Sequence, residues 1–412
     1  MKSSPLIPVA EALAKVVNGA APLPSENVRL NEADGRVLAE DVKSLRTQPP
    51  FDVSAMHGYA ARAADLASGK LLQVVGESAA GHKLERELKS GEAARIFTGA
   101  VVPHGADVVV EQESATREGD RVTLAVYEAG KNIRPAGIDF REGDVLLKKG
   151  LRLSPRALGL AASMDHATLA CAKRPRVAIF STGDELCSIG APLAEGAVYD
   201  SNRYTLFGML SRMGCDLLDL GVVADDPPLL AETFRQAAAA ADVVLTSGGV
   251  SVGEADFVRP LMAELGEVLF WKIAMKPGRP LAFGRIGAAA GNADGGAWLF
   301  GLPGNPVAVM VTFYQFVREA LYRLMGADPL PVVPLLPAVC EHSLKKLPGR
   351  SEYQRGILSQ TAGGWRVRPA AAQGSGILRS MAEANCFIVL GHERGSVAAG
   401  DVVEVQLFDG LV

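Results

Sequence analysis

The apolar positions of the first forty residues recur at helical spacing. Val9, Leu13 and Val16 lie three or four residues apart, which predicts a helix with one apolar face. Two prolines within residues 21–25 predict a turn. Helical spacing then resumes, and we expect a second helix that ends near Val42.

The pattern changes after Gln48, where short apolar runs replace the helical spacing. Runs such as residues 71–75 and 122–126 are separated by Gly, Pro and charged turns, which predicts a small β domain. Helical character returns at residues 143–170, where Ser154 precedes a proline as a helix N-cap would. The β domain is therefore predicted to be inserted into a helical region.

Apolar runs of strand length alternate with helical patterns between residues 176 and 328. The first runs are residues 177–180, 217–223 and 243–246. Such alternation predicts right-handed crossovers and a mostly parallel sheet with helices on both faces. The predicted architecture is a doubly wound domain that ends in a long helix at residues 306–325.

A proline-rich linker at residues 326–337 precedes a C-terminal segment with short strands and no strong helical pattern. This composition predicts a small β barrel. The predicted fold class is thus multidomain α/β. Its helical region comprises residues 1–46 plus 141–175, and the β domain inserted into it comprises residues 47–140. The doubly wound domain follows at residues 176–328, and the C-terminal β barrel at residues 329–412.

Charge and composition narrow the possible functions. The 412 residues include 42 basic and 46 acidic ones, for a formal net charge of −4, so no global cationic field attracts nucleic acid or an anionic membrane. The sequence shows neither a secretory signal nor a membrane-length apolar stretch, and we expect a soluble cytoplasmic protein. The five cysteines and six histidines are scattered, which argues against disulfides and a zinc site.

Four loops with unusual chemistry follow strands of the predicted sheet, at residues 181–185, 225–226, 247–256 and 301–306. Ligands of open parallel sheets bind beyond the carboxyl ends of the strands. The third loop places glycines before a helix, where backbone N–H groups can face an anion, although a tight turn explains the glycines equally well. It matches neither the P-loop nor the Rossmann pattern.

Charged residues of both signs accompany these loops. Carboxylates near an anion-binding loop favour bridging by Mg²⁺, although single loop carboxylates are commonly solvated or act as N-caps. Lys272, Lys276 and Arg279 alternate with apolar residues and can add cations to the same site, or form a solvated strand edge. The carboxylates are Asp184, Glu185, Asp225, Asp226, Glu254 and Asp256.

Six stretches, in chain order, resemble the molybdopterin molybdenumtransferase family, which includes MoeA and the E domain of gephyrin. Together they span most of the chain. They are PPFDVSAMHGYA from Pro49, RIFTGAVVPHGADVVVEQE from Arg95, FSTGDEL from Phe180 with YDSNR from Tyr199, TSGGVSVGEADF from Thr246, KPGRPLAFG from Lys276 and GLPGNPVAV from Gly301.

The resemblance implies an elongated homodimer, with a dimerisation domain, an inserted β domain, a molybdopterin-binding domain and a C-terminal barrel. It implies the Mg²⁺-dependent insertion of molybdate into adenylylated molybdopterin, which releases AMP and yields molybdenum cofactor. Mg²⁺ is the implied cofactor, and molybdate is a substrate. A molybdopterin adenylyltransferase and apo-molybdoenzymes are the implied protein partners.

Residue roles follow by matching this sequence to the family motifs. Glu185, Asp225 and Asp256 are predicted to bind Mg²⁺ or to orient substrate. The predicted catalytic residues are Glu185, Asp225, Asp256, Lys272, Lys276 and Thr98. The predicted substrate-binding residues are Ser181, Thr182, Gly183, Asp184, Gly248, Gly249, Ser251, Gly253, Arg279, Pro303, Pro306, Arg134, Asp139, His57, Arg350 and Ser375.

The inserted domain departs from the family pattern. Relatives commonly read D-N-S-A-M-D-G-Y-A where this chain has Val53 and His57, and they carry arginines and a glutamate near residues 135–138. Imidazole does not replace a hard oxygen ligand of Mg²⁺. One alternative is therefore a carrier that binds the pterin nucleotide without turnover. A second is an adenylyltransferase, which would leave the domains outside the doubly wound one unexplained.

Overall fold

The structure is a computed structural model that describes residues 6–67, 69–250, 258–287 and 296–412. The first predicted helix is present at Val9–Gly19. Its apolar face packs into the core of the doubly wound domain, in one cluster with residues of the sheet and of the long C-terminal helix of that domain. This helix therefore joins the N-terminal region to the doubly wound domain.

The prediction of a second helix before Val42 is wrong. Ser25–Arg29 is a strand that pairs antiparallel with Thr168–Ala172, and only a short 3₁₀ helix follows at Leu30–Glu32. Val28 alone of its strand is buried, so this strand is largely exposed to solvent. The long-range pairing therefore overrides the weak helical spacing of the sequence.

The remainder of the N-terminal region forms a small core of its own. Val42–Lys43 pairs antiparallel with Val145–Leu147. The helix predicted after Ser154 is present at Pro155–Ser163, and the Ser154 hydroxyl accepts a hydrogen bond from the N–H of Ala157 at 3.5 Å. The region predicted to be helical thus contains two α-helices, one short 3₁₀ helix and two short antiparallel strand pairs.

The inserted segment forms a six-stranded sheet that is buried on both faces. Two short strands, Val53–Ser54 and Ile133–Arg134, pair beside it. Short 3₁₀ helices at Ala63–Asp65 and Gln112–Ser114 connect the strands. The strand order is Val108–Glu111, Gly58–Ala61, Glu92–Ile96, Leu71–Ser78, Arg121–Leu124 and Ala115–Glu118.

A six-stranded sheet with helices on both faces forms the doubly wound domain, as predicted. Its order is Asp216–Val223, Arg176–Thr182, Val243–Ser247, Ala297–Leu302, Pro280–Ile286 and Gly266–Lys272. The first four strands are parallel and the last two antiparallel. The helices are Asn202–Met213, Pro227–Ala240, Val258–Leu265, and Pro306–Thr312 continued through the π-helix Phe313–Val317 into Arg318–Leu324.

The C-terminal segment is a closed barrel of five strands. They are Leu335–Cys340, Ser351–Thr361, Gly364–Pro369, Cys386–Leu390 and Val402–Leu407, with a short helix at Arg379–Glu383. The short strand Met275–Lys276 of the doubly wound domain pairs with the start of Ser351–Thr361 and so links the two domains. None of the helices in the four described ranges combines the length and the apolar composition that a membrane span requires.

Candidate functional site

The loops after two adjacent parallel strands meet at the carboxyl edge of the sheet. Thr182 ends one strand, and its hydroxyl donates a hydrogen bond to the carboxylate of Asp225, which follows the neighbouring strand. Asp184 accepts a hydrogen bond from the backbone N–H of Asp225 at 3.2 Å. Asp226, in contrast, is the N-cap of the next helix and accepts from the N–H of Leu229. The structure thus brings Thr182, Asp184 and Asp225 together.

Gly248 and Gly249 adopt backbone conformations that other residues rarely take, with φ of +98° and +65°. A Cβ at Gly248 would lie 2.1 Å from the carbonyl oxygen of Thr182, and one at Gly249 would lie 2.6 Å from Val258. The loop therefore lies so close to Thr182 and Val258 that no side chain fits at either glycine without a shift of these neighbours. Ser251, Gly253 and Asp256, predicted in the same loop, lie outside the described residues.

A cavity of about 570 Å³ opens beside these loops, and Glu185 and Tyr199 lie in its lining. Leu186–Cys187 pairs in parallel with Val198–Tyr199, and this pairing holds the segments of Glu185 and Tyr199 side by side. Gly183 makes room for the Glu185 carboxylate, because a Cβ there would lie 2.6 Å from one of its oxygens. Pro303 and Pro306 also line this cavity, and Pro306 is the first residue of the long helix.

A buried acidic residue that received no role in the sequence analysis supports this cavity. Asp200 is 2% exposed, and it accepts hydrogen bonds from the Ser181 hydroxyl at 3.0 Å and from Arg203 Nε at 3.0 Å. Arg203 also binds Asp219 at 2.6 Å. The hydroxyl of Ser181, predicted to bind substrate, is thus engaged inside the protein. The YDSNR stretch could have indicated a role for Asp200, because an acidic residue just before a predicted helix favours the positive end of the helix dipole.

A second cavity, of about 880 Å³, lies between the doubly wound domain and the barrel. Five basic side chains line it against one acidic side chain, Glu352. Anions are therefore favoured in this cavity over the rest of a protein whose net charge is −4. The five basic residues are the predicted Lys276, Arg279 and Arg350 together with Lys345 and Arg355, which sequence reasoning missed.

The basic residues differ in how far the protein itself neutralises them. Arg350 donates from Nε and Nη2 to one carboxylate oxygen of Glu352, at 2.9 and 2.8 Å, and Glu352 is only 1% exposed. Lys276, Arg279 and Lys345 are exposed and form no ion pair with the described residues. These three cations are therefore available to an anionic ligand.

The two cavities are adjacent, and together they are called the cleft. Pro280, Pro303 and Asn305 line both of them. Ser375 of the barrel also lines the larger cavity, and its carbonyl accepts the N–H of Val307 at 3.1 Å. The carboxylates of Glu185 and of the ion-paired Asp200 therefore lie at one end of the cleft, and the cations lie at the other.

Twelve predicted residues of the described ranges line neither cavity. Seven of them lie at the sheet edge, at the strand ends and in the loops described above: Ser181, Thr182, Gly183, Asp184, Asp225, Gly248 and Gly249. Lys272 ends an edge strand. The other four belong to the inserted domain, where the N–H of Thr98 donates to His57 Nδ1 at 3.2 Å and Arg134 lies opposite Val53 in the short strand pair. Asp139 lies exposed after that pair. Among the described residues of one chain, the inserted domain contributes none to the lining of either cavity.

The donors for a divalent cation are hard carboxylate oxygens, as Mg²⁺ prefers. Within the described part of the chain, no three His, Cys, Asp or Glu side chains converge on one point. Glu185 and Asp184 form no ion pair with any described residue, so their charges remain available to a cation. Glu185 and Asp225, the described members of the predicted set, offer oxygen donors of the kind that Mg²⁺ prefers.

Comparison with protein families and with curated proteins covers nearly the whole chain. The family signatures of the MoeA N-terminal region (domain I and II), a probable molybdopterin binding domain and the MoeA C-terminal region (domain IV) match residues 7–164, 178–323 and 337–408. The molybdopterin molybdenumtransferase of Haemophilus influenzae is 41% identical over 95% of this chain and 96% of its own. That of Nostoc sp. is 37% identical over 93% and 89%.

Solved structures agree with the sequence relatives. Two crystal structures of the molybdopterin biosynthesis moeA protein from Pyrococcus horikoshii match with TM-scores of 0.84 and 0.81, at 29% and 31% identity. Each match covers 98% of this chain and the whole of the other. These findings confirm the predicted multidomain α/β fold with its C-terminal barrel. The chain therefore belongs to the molybdopterin molybdenumtransferase (MoeA) family of transferases.

Proposed function

We propose that this enzyme inserts molybdate into adenylylated molybdopterin in a Mg²⁺-dependent reaction that releases AMP and forms molybdenum cofactor. The family membership supports the transferase activity and a role in molybdenum cofactor biosynthesis. The observation that carries the finer proposal is the charge distribution of the cleft. Anionic groups of two substrates would meet between an end with carboxylates and an end with uncompensated cations.

The proposed chemistry changes no oxidation state. The two dithiolene thiols form two Mo–S bonds, one molybdate oxygen leaves as water with the two thiol protons, and molybdenum stays Mo(VI). Water cleaves the phosphoanhydride, so that AMP and the phosphate of molybdopterin separate. Mg²⁺, when bound, would supply Lewis-acid polarisation of phosphate oxygens.

Residues of this chain would bind and orient the reacting groups. Glu185 and Asp225 would hold Mg²⁺, and the loop that begins at Gly248 would face the nucleotide phosphate or the pterin. The N–H of Gly248 itself donates to the carbonyl of Leu302 at 3.2 Å. Lys276 and Arg279 would hold oxyanions, and Arg350 with Ser375 would bind the molybdate. Because these cations are already in place, little free energy is needed to reorganise the site when the anionic substrates bind.

The test is AMP release, measured by chromatography after the purified protein is mixed with adenylylated molybdopterin, Mg²⁺ and molybdate. Asp225→Asn should abolish release, while Glu232→Gln, on the exposed face of a helix, should leave it unchanged. Tight binding of the nucleotide without AMP release between about pH 6 and 8 would instead support the carrier alternative, which the comparisons do not favour. In that case His57→Asp should restore activity if the imidazole is the cause.

We also propose that the functional unit is a homodimer. His57, Thr98, Arg134 and Asp139 carry polar groups and were predicted to act at the site, yet none of them lines the cleft of its own chain. A second copy would supply them to the cleft. Mixing Arg134→Ala subunits with Asp225→Asn subunits should therefore restore AMP release in the mixed dimer, and light scattering should give twice the chain mass. A monomer, or mixed dimers without activity, would contradict the proposal.

A further inference from the structure

Arg355 is the most deeply buried of the basic residues that line the larger cavity. It lies on the strand Ser351–Thr361 and is only 1% exposed. No carboxylate of the described residues forms an ion pair with it. Burial lowers the pKa of its guanidinium to about 10, so the group is still charged at neutral pH. The cavity therefore contains a fixed positive charge that the protein does not neutralise.

The guanidinium of Arg355 holds the loop that follows the strand Gly364–Pro369. Nη2 donates to the carbonyls of Ala372 and Gly374 at 3.3 and 3.1 Å. Nε donates to the Ser380 hydroxyl at 3.2 Å, and that hydroxyl donates to the carbonyl of Ile377. One planar group thus fixes both ends of the loop, a geometry that the single nitrogen of a lysine cannot reproduce.

A second set of hydrogen bonds fixes the same loop to the backbone of Arg355. The N–H of Arg355 donates to Gln373 Oε1 at 2.9 Å, and Gln373 Nε2 donates back to the Arg355 carbonyl at 2.8 Å. Ser375 follows two residues later, and its carbonyl accepts the N–H of Val307 from the doubly wound domain. Ser375 is therefore held from the barrel on one side and from the long helix on the other.

We propose that Arg355 is a positioning residue for the oxyanion end of the cleft. It fixes Ser375 in the cavity that Arg350 also lines, and its buried charge favours a tetrahedral dianion there. Its observed hydrogen bonds end on the loop, so it acts on the ligand through Ser375 and through its electrostatic potential. This inference rests on the proposed function, because that function supplies molybdate as the dianion.

The test compares Arg355→Lys and Arg355→Gln in the full-length protein, with sodium molybdate as the calorimetric probe and with steady-state kinetics. Arg355→Lys should raise the Kd and the KM for molybdate by about 10-fold, because hydrogen bonds of the guanidinium to the loop are lost. Arg355→Gln should raise both by about 100-fold, because the buried charge is lost as well. The kcat at saturating molybdate and the affinity for the adenylylated pterin should change by less than about 2-fold. Arg368→Gln, an exposed arginine on the neighbouring strand, is the matched control.

Ser380→Ala tests the same contacts with a smaller change, and it decides the question if the Arg355 variants fail to fold. It removes one acceptor of the guanidinium, and it should raise the molybdate Kd about 3-fold and speed amide hydrogen exchange in residues 370–376. Unchanged molybdate binding in Arg355→Lys and Ser380→Ala, or an equal loss for both substrates, would overturn the inference. If the wild-type protein releases AMP and these variants bind molybdate normally, only the role of Arg355 falls. If the wild type neither binds molybdate nor releases AMP, the proposed function falls with it.

Discussion

At the scale of single residues, hydrogen-bond partners decide which polar groups remain available for chemistry. Ser181 and Thr182 have hydroxyls that bond to carboxylates of the protein, whereas Lys276 and Arg279 reach the cleft with no ion pair to a described residue. Sequence reasoning identified all four as candidates, because residue type and position are visible in a sequence. Their partners are not visible, since Asp200 and Asp225 are placed by the fold.

The glycine at position 248 should be strictly required. In Gly248→Ala the new Cβ would meet the Thr182 carbonyl at 2.1 Å and the backbone would be strained at φ +98°, so we expect a loss of about 2–4 kcal/mol in the free energy of unfolding. Gly190→Ala is the control, because Gly190 has a φ of +89° with open space around it, and strain alone should cost about 1–2 kcal/mol. Chemical denaturation measures both, and equal losses would show that the close contact is unimportant.

At the scale of elements, sequence reasoning succeeded where the hydrophobic period was strong. The helix Val9–Gly19 was predicted from apolar residues at helical spacing, and the helix Pro155–Ser163 from the N-cap Ser154 and the proline after it. The strand Ser25–Arg29 was mistaken for a helix. Its partner Thr168–Ala172 is distant in sequence, and no local pattern of residues predicts that the two strands pair.

One inserted-domain contact should make the stability of that domain depend on pH. Asp65 is 6% exposed and accepts hydrogen bonds from Ser90 Oγ at 2.8 Å, Lys70 Nζ at 3.0 Å and the N–H of Gly91 at 3.1 Å. The Ser90 hydrogen bond, followed by those from Lys70 and Gly91, lowers the pKa of this carboxyl from 3.8 to about 2. Because the folded state favours the ionised form, the stabilisation is complete above about pH 4 and is lost as the pH falls towards 2.

Removing the Asp65 charge should remove this part of the pH dependence. Asp65→Asn is expected to lose about 1–3 kcal/mol at pH 7 and to show a flatter decline between about pH 4 and 2 than the wild type. Urea unfolding at several pH values, followed by a probe in the inserted domain, measures the slope. Glu118→Gln, at an exposed position of the same sheet, should keep the wild-type slope. An unchanged slope in Asp65→Asn would refute the assignment.

At the scale of the whole molecule, the cleft is a product of two domains. The loops at the sheet edge were foreseeable, because the carboxyl ends of parallel strands share one edge. Arg350 and Ser375 of the barrel were named through the family resemblance alone, and Lys345 and Arg355 were missed. Nothing in the pattern of short strands tells which barrel residues face a neighbouring domain, and that information exists only once the two domains are packed together.

The charge of the cleft should make molybdate binding depend on salt, even though the whole chain is acidic. Five cations and one carboxylate line the larger cavity, and three of the cations are exposed to solvent. Screening shortens the Debye length from about 10 Å at 0.1 M salt to about 3 Å at 1 M, so the attraction from exposed cations should weaken. We expect the affinity for molybdate, measured by calorimetry, to fall about 10-fold over this range.

Variants separate the local field of the cleft from general salt effects. Lys345→Gln should weaken binding at 0.1 M salt and make the remaining affinity less dependent on salt, because one screened cation is gone. Lys83→Gln, an exposed lysine of the inserted domain that pairs with Glu85, should change neither quantity. If the wild type and both variants showed the same affinity at every salt concentration, the exposed cations would contribute nothing to binding. Recognition of the dianion would then depend on Arg350, Ser375 and the buried charge of Arg355, which salt screens far less.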